Sequence, residues 1–180
     1  MAHSAIVVPV AELESVVKTR IERTIPEYLF REPGETHAHI TLLGPFVDRD
    51  LMTSELLDQL RQLFKKVSPI SFTLDSPPMT LPDGTVYLDP EPADTFSDLT
   101  RQLWEAYPEY PPFGGAHSAP QPHLTLAYPW APGHSQDTMR AVAPEVGPLL
   151  PVRLEAATAC LNWYEPGCSR TVASFEFGRR

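Results

Sequence analysis

Two tetrapeptides, His39-Ile40-Thr41-Leu42 and His123-Leu124-Thr125-Leu126, constrain this sequence more than any other feature in it. Each lies in a short aliphatic and β-branched run bounded by turn-forming residues. Leu43-Gly44-Pro45-Phe46 follows the first, and Pro122 and Pro129 flank the second. Such runs read as strands. Side chains alternate along a strand with a period of two. His39 and Thr41 therefore share one face, with Ile40 and Leu42 on the other, and His123 and Thr125 stand in the same relation to Leu124 and Leu126. The fold has to bury two apolar strand faces while leaving two imidazole–hydroxyl faces for other use.

The remaining periodicities supply the elements that could do this. Ala5 to Val10 reads as a strand with Pro9 near its end. Leu13, Val16, Val17 and Ile21 recur at helical spacing and predict a helix over about Glu12 to Arg23, stopped by Pro26. Tyr28 to Thr36 is a polar loop leading into the first His/Thr strand. Thr53 or Ser54 caps a second helix carrying Leu56, Leu60, Leu63 and Val67, which Pro69 terminates. Ile70 to Leu74 and Val86 to Leu88 are strands on either side of a turn region from Pro77 to Gly84. Phe96, Leu99, Leu103 and Ala106 mark a third helix over about Ala93 to Tyr107. From Pro108 to Pro122 no periodicity survives; a loop of this length beside a motif strand predicts a functional rim, with Gly114-Gly115 able to approach a ligand closely or to hinge. A short helix runs from Ser135 to Pro144. Val152 to Tyr164 and Arg170 to Phe177 read as a hairpin around Glu165-Pro166-Gly167. Strand, helix and His/Thr strand thus occur twice, with the motif histidines 84 residues apart. The expected architecture is α+β, bilobal and pseudo-symmetric, over residues 1–180 as one domain.

Composition narrows the function classes. At 180 residues the chain can bury a core without staples. Two cysteines, Cys160 and Cys168, do not make a disulfide framework and predict free thiols in a reducing cytoplasm. A net charge of −9 argues against binding long nucleic acids, whose affinity comes largely from lysine and arginine. The beginning of the sequence reads as lacking a signal peptide, and no run reaches the ~20 apolar residues of a membrane span. The 21 prolines punctuate short elements instead of forming a disordered tract.

Histidine is the side chain best suited to exchange protons near neutral pH. Two facing imidazoles can serve as base and acid together, as in-line displacement at phosphorus requires. Threonine hydroxyls on the same faces can donate to the non-bridging phosphate oxygens and stabilise the transition state. No cofactor and no metal is needed. These paired His-x-Thr motifs, with Leu43-Gly44-Pro45-Phe46 after the first and Phe113-Gly114-Gly115 and Pro122 before the second, resemble the 2H phosphoesterase superfamily. That superfamily takes in the 2′-5′ RNA ligase-like proteins and the cyclic phosphodiesterases. The resemblance implies two antiparallel sheets around a central cleft with outer helices. It implies His39 and His123 as the catalytic pair, Thr41 and Thr125 as phosphate ligands, and opening of 2′,3′-cyclic phosphates or related phosphodiesters, sometimes with 2′-5′ RNA joining.

The chain departs from the ligase-like pattern where an arginine often follows the second motif; here Ala127-Tyr128 stand. Arg31 and Arg170 are the nearest cations by element placement, and for each an ordinary surface charge is the default. The expected partner is accordingly a small nucleotide or short RNA end, bound by a monomer. His37, Phe113 and Tyr128 are candidate substrate contacts, with Phe46, Trp130 and Trp163 as further stacking candidates whose default is packing. His37 with His39 could instead begin a metal site, but no further ligands are identifiable. His3, His117 and His134 carry no pattern. A non-catalytic nucleotide-binding module and a metal-dependent hydrolase remain competing readings.

Overall fold

The computed structural model describes residues 2–115, 121–128 and 134–178. Its chain order is β1 (His3–Pro9), α1 (Glu14–Thr24), β2 (His39–Leu43), α2 (Ser54–Phe64), β3 (Ile70–Leu74), β4 (Met79–Thr80), β5 (Val86–Leu88), α3 (Asp94–Ala106), β6 (Leu124–Ala127), α4 (Ser135–Val146), β7 (Val152–Ala156), β8 (Thr158–Tyr164) and β9 (Arg170–Glu176). The fold is α+β with two antiparallel sheets. The larger has seven strands in the order β4-β5-β6-β2-β1-β8-β9, and the smaller pairs β3 with β7. The sheets are unequal, and both His/Thr strands lie side by side in the larger one.

Strand register reveals the internal symmetry that the loose sequence repeat suggests. β2 pairs with β6 through Ile40 opposite Leu124, the same position of the two motifs. Antiparallel pairing of equivalent residues places a pseudo-two-fold axis at that bridge. On one side Val7 lies opposite Thr41 and Ile6 opposite Leu43, with an irregularity between Ile6 and Val7. On the other, Tyr87 lies opposite Thr125 and Val86 opposite Ala127, with an irregularity between Val86 and Tyr87. The same local departure thus occurs beside each motif threonine. Helices α1 and α3 obey the same symmetry: α1 packs over β6, and α3 over β2. Each helix crosses the axis to cover the motif strand of the other half.

Burial follows the alternation expected from sequence. Ile40, Leu42, Leu124 and Leu126 are buried, while His39, Thr41, His123 and Thr125 are half-buried on the opposite face. One buried cluster runs from Val8 and Leu13 through Ile40, Leu124 and Phe96 to Phe175, so the two halves share their apolar interior. At its far end Phe64 of α2 stacks on Phe175 and Phe177, with ring centroids 5.5 and 5.6 Å apart. Burying a side chain of this size contributes about 2–3 kcal/mol. The Thr53 hydroxyl accepts the Leu56 N–H at 3.2 Å, capping α2 as its sequence predicts.

Three element predictions are corrected. Residues 152–164 are not one strand: β7 joins β3 in the small sheet, β8 joins β1 in the large one, and the chain changes sheet at Ala157. Helix α4 runs through Pro144 to Val146, because proline there leaves only one late hydrogen bond unmade. Helix α2 ends at Phe64, short of Val67. Both cysteines are free, Cys160 buried and Cys168 exposed. Among the described residues no helix is long and apolar enough to cross a membrane.

Candidate active site

The two motif histidines are held in the same way. His39 Nδ1 lies 2.6 Å from the carbonyl oxygen of His37, and His123 Nδ1 lies 2.8 Å from that of Gln121. A carbonyl oxygen only accepts, so Nδ1 carries the proton in both rings and Nε2 is the atom left to gain or lose one. The bond spans two residues of an extended approach to each strand, which is how the sequence builds it twice.

His39 and Thr41 line a cleft of about 530 Å³ together with Phe113, Tyr128, Tyr164, Tyr28, Ile25 and His3. Gly44 and Pro45 close one wall. A Cβ at Gly44 would stand 3.0 Å from Cβ of Ala5 and 3.6 Å from Cγ2 of Thr41, so a side chain here would press on β1 where β2 leaves the cleft. The Gly44 carbonyl accepts the N–H of Phe113 at 2.8 Å, which ties the second half's loop to the end of the first half's strand. Phe113 has φ of +53°, a left-handed conformation rare for a side chain of its size. In that conformation its ring stacks on His123, with centroids 6.2 Å apart and planes 14° off parallel. Tyr87 meets His123 edge-on at 5.4 Å. Thr125 shares a hydrogen bond with the Tyr128 phenol. The second motif therefore reaches the cleft through Phe113 and Tyr128.

The electrostatics differ between the two imidazoles. Burial pushes His39 down to about 4, because a desolvated imidazolium is costly. Its bond to the His37 carbonyl and the charge of Glu14 oppose the fall, while His123 and His37 add to it. A proton on His123 thus disfavours one on His39, which shows electrostatic coupling between them. Burial raises the Tyr164 phenol well above its ordinary range. Tyr128 exposes half its surface, yet its phenol end is desolvated and also raised; the Thr125 hydrogen bond opposes that shift and Asp83 adds to it.

The sequence profile of the 2′-5′ RNA ligase superfamily matches residues 7–167. This chain belongs to that superfamily. The 2′-5′ RNA ligase-like assignment is consistent with a Bacillus pumilus (strain SAFR-032) protein, provisionally named a phosphoesterase, that is 27% identical over 132 residues, covering 71% of this chain and 70% of the relative. The fold is similar to that of Escherichia coli LigT. Its NADP+ complex superposes with a TM-score of 0.56 at 17% identity, over 98% of this chain and 97% of LigT. Its 3′-AMP complex gives 0.57 at 16% identity, over 97% of each.

Within this 2′-5′ RNA ligase-like fold, the cleft brings together His39, Thr41, Phe113 and Tyr128, while His123 and Thr125 are not among its lining residues and contact it through Phe113 and Tyr128. His37 is a correction. It does not line the cleft: it is buried, its Nδ1 bonds Glu14 Oε1 at 2.6 Å, and its Nε2 accepts the Phe30 N–H at 2.9 Å. β2 begins only at His39, so strand alternation does not extend back to His37, and both of its ring nitrogens are already bonded within the protein. Phe46 and Trp163 are likewise interior. Phe46 packs edge-on against Tyr107 and Tyr110, and Trp163 Nε1 donates to Glu165 at 2.7 Å. Trp130 and His117 lie outside the described residues. Arg31 and Arg170 are exposed and do not line the cleft. Among the described residues no group of three or more His, Cys, Asp or Glu side chains could hold a metal ion.

Sequence reasoning missed Tyr164. It ends β8, opposite His3 in register, and its ring lies 5.2 Å from His3 and 6.2 Å from His39. Asn162 Nδ2 donates to its phenol oxygen at 3.0 Å, and Asn162 Oδ1 accepts from Thr171 at 2.8 Å. No local pattern marks this residue, because sheet pairing brings it to the motif from far along the chain.

Proposed function

We propose that this chain is a metal-independent phosphodiesterase that opens a 2′,3′-cyclic phosphate, or hydrolyses a related phosphodiester, of a small nucleotide or short RNA end. The observation that carries the reading is the paired backbone lock: two histidines on adjacent strands, each fixed with Nδ1 protonated and Nε2 available, His39 lining the cleft and His123 stacked on its Phe113 wall. We read residues 1–180 as a single bilobal unit, since its two halves share one apolar interior.

In this mechanism His39 is the base. Its burial keeps it neutral at pH 7, and a bound phosphate anion beside it strengthens its basicity. Nε2 of His39 takes a proton from water as the water oxygen bonds to phosphorus. Nε2–H of His123 gives a proton to the departing ribose oxygen as its bond to phosphorus breaks. Water is added across one P–O bond, and the histidines exchange roles of protonation before the next turnover. Thr41 and Thr125 donate to the non-bridging oxygens, and the bond from Asn162 leaves the Tyr164 hydroxyl hydrogen as a third donor. No lysine or arginine lines the cleft among the described residues. Hydroxyl donors and aromatic walls suit one phosphodiester on a nucleoside better than a polyphosphate chain. LigT, of the same fold, has been crystallised with NADP+, 3′-AMP and ATP, which supports a nucleotide as the ligand class.

The test is hydrolysis of the four nucleoside 2′,3′-cyclic phosphates in excess EDTA, with wild type, His39→Ala and His123→Ala. Each substitution is expected to lower kcat by about 10²- to 10⁴-fold, the range of general acid–base catalysis. Full activity in either variant, or loss of wild-type activity to chelator, overturns the mechanism. Nucleotide binding without turnover would instead favour a binding module.

A further inference from the structure

Glu14 is the first residue of α1, and its carboxylate is bound to the approach to β2 by three hydrogen bonds. Oε2 accepts the backbone N–H of His37 at 2.7 Å and that of Ala38 at 2.9 Å. Oε1 accepts Nδ1–H of His37 at 2.6 Å. The far nitrogen of the same ring accepts the Phe30 N–H at 2.9 Å, and the ring packs on Phe30 with centroids 4.8 Å apart. A ring that accepts at Nε2 and donates at Nδ1 is neutral, so the charge of the pair resides on Glu14. The Ala38 carbonyl is held in turn by the Val10 N–H at 2.8 Å. The one carbonyl of this segment that faces the site, that of His37, accepts His39 Nδ1–H at 2.6 Å.

From this arrangement we infer that Glu14, acting with His37, is a positioning device for His39: it fixes the 37–38 peptide so that the His37 carbonyl holds His39 in the Nδ1–H tautomer with Nε2 free. The inference rests on the reading of His39 as a base working through Nε2. Among the described residues the other half shows no such device. Gln121, whose carbonyl serves His123, is exposed, and its side chain bonds the Tyr87 hydroxyl at 3.3 Å. A rigid base and a more adaptable acid follow from that difference: the base must meet water at one angle, whereas the acid has to follow a departing oxygen. The charged and titratable groups acting on His39 are His123, His37 and Glu14, with the Tyr164 ring beside it. Burial works to raise the Glu14 carboxyl, but its hydrogen bonds from His37 and Ala38 outweigh it, and the net shift is downward. Glu14 therefore stays an anion, and therefore a triple acceptor, through the neutral range.

Glu14→Gln separates positioning from mere support. The amide keeps one oxygen for the backbone N–H groups but turns a donor toward His37 Nδ1, a ring whose other nitrogen is already an acceptor. The expected result is a kcat lower by about 10- to 100-fold, the scale of a misplaced catalytic group, with KM within about threefold. Imidazole ¹⁵N spectra should show His39 as a pure Nδ1–H tautomer in wild type and a tautomer mixture in the variant. A lowered Tm with kcat and the His39 tautomer unchanged would make Glu14 only structural and overturn the proposal. If Glu14→Gln does not fold, the wild-type spectrum still decides: His39 protonated at Nε2, or averaged between nitrogens, overturns it, and His37 must appear as a neutral Nδ1–H ring. Should wild type hydrolyse no phosphodiester, the proposed function fails while the tautomer measurement continues to test the device.

Discussion

Acid should weaken this protein through one residue in particular. His39 moves from 6.5 to about 4 on folding, so protonating it in the folded state costs about 3 kcal/mol relative to the unfolded chain. As pH falls through 6.5 the unfolded imidazole takes up its proton, while the folded one does so only near 4. The unfolded chain binds more protons throughout that window, and stability falls with pH until about 4, below which His39 adds no further change. His39→Gln removes the group from both states. Urea unfolding of wild type and variant at pH 7, 6, 5 and 4 isolates it, because groups common to both proteins, Glu14 among them, largely drop out of the difference. The variant is expected to lose about 2–3 kcal/mol less than wild type between pH 7 and 4, the lower figure allowing for solvent at the cleft mouth. Parallel pH dependences, within about 0.5 kcal/mol, would show that His39 is not desolvated and would remove the reason for assigning it as the neutral base.

Two further outcomes test separate parts of the structure. Thr41→Val and Thr125→Val should each lower kcat/KM on a 2′,3′-cyclic nucleotide by about 10- to 100-fold, the worth of one hydrogen bond to a charged oxygen, with Tm nearly unchanged; retention of activity in both would take the hydroxyls out of the phosphate site. Gly178→Ala should destabilise by about 2–3 kcal/mol, an overpacking cost. A Cβ there would fall 2.1 Å from the Lys65 carbonyl oxygen, where the Gly178 N–H bonds the Val67 carbonyl at 2.8 Å and the neighbouring Phe177 stacks on Phe64. Chemical denaturation reads the loss, and kcat should be unaffected.

Local chemistry was legible where one short segment decides its own geometry. The Thr53 cap, the faces of the two motif strands and the stop at Gly44-Pro45 depend on residues within a turn or a strand period of one another, so their periodicity carries the information. Partner choice was not legible. Nothing in 152–164 announces that the chain leaves the small sheet at Ala157, since both parts have strand composition and only pairing with β3 or β1 tells them apart. His37 shows the same boundary at a single side chain. Strand alternation carried back from His39 would aim it at substrate, but Glu14, on α1, and Phe30, in the preceding loop, bind its two nitrogens.

The repeated His-x-Thr-Leu frame by itself determined that two imidazole–hydroxyl faces would be presented over two buried apolar ones, because a strand's two-residue period is a property of the backbone. Tertiary structure alone decided that these faces adjoin at a pseudo-two-fold axis and that Tyr164 joins the cleft. It also decided that the two histidines are unequal: His39 is desolvated and braced through Glu14, whereas His123 packs between Phe113 and Tyr87. Desolvation and bracing arise from atoms that long-range pairing gathers, and no pattern local to either motif encodes them.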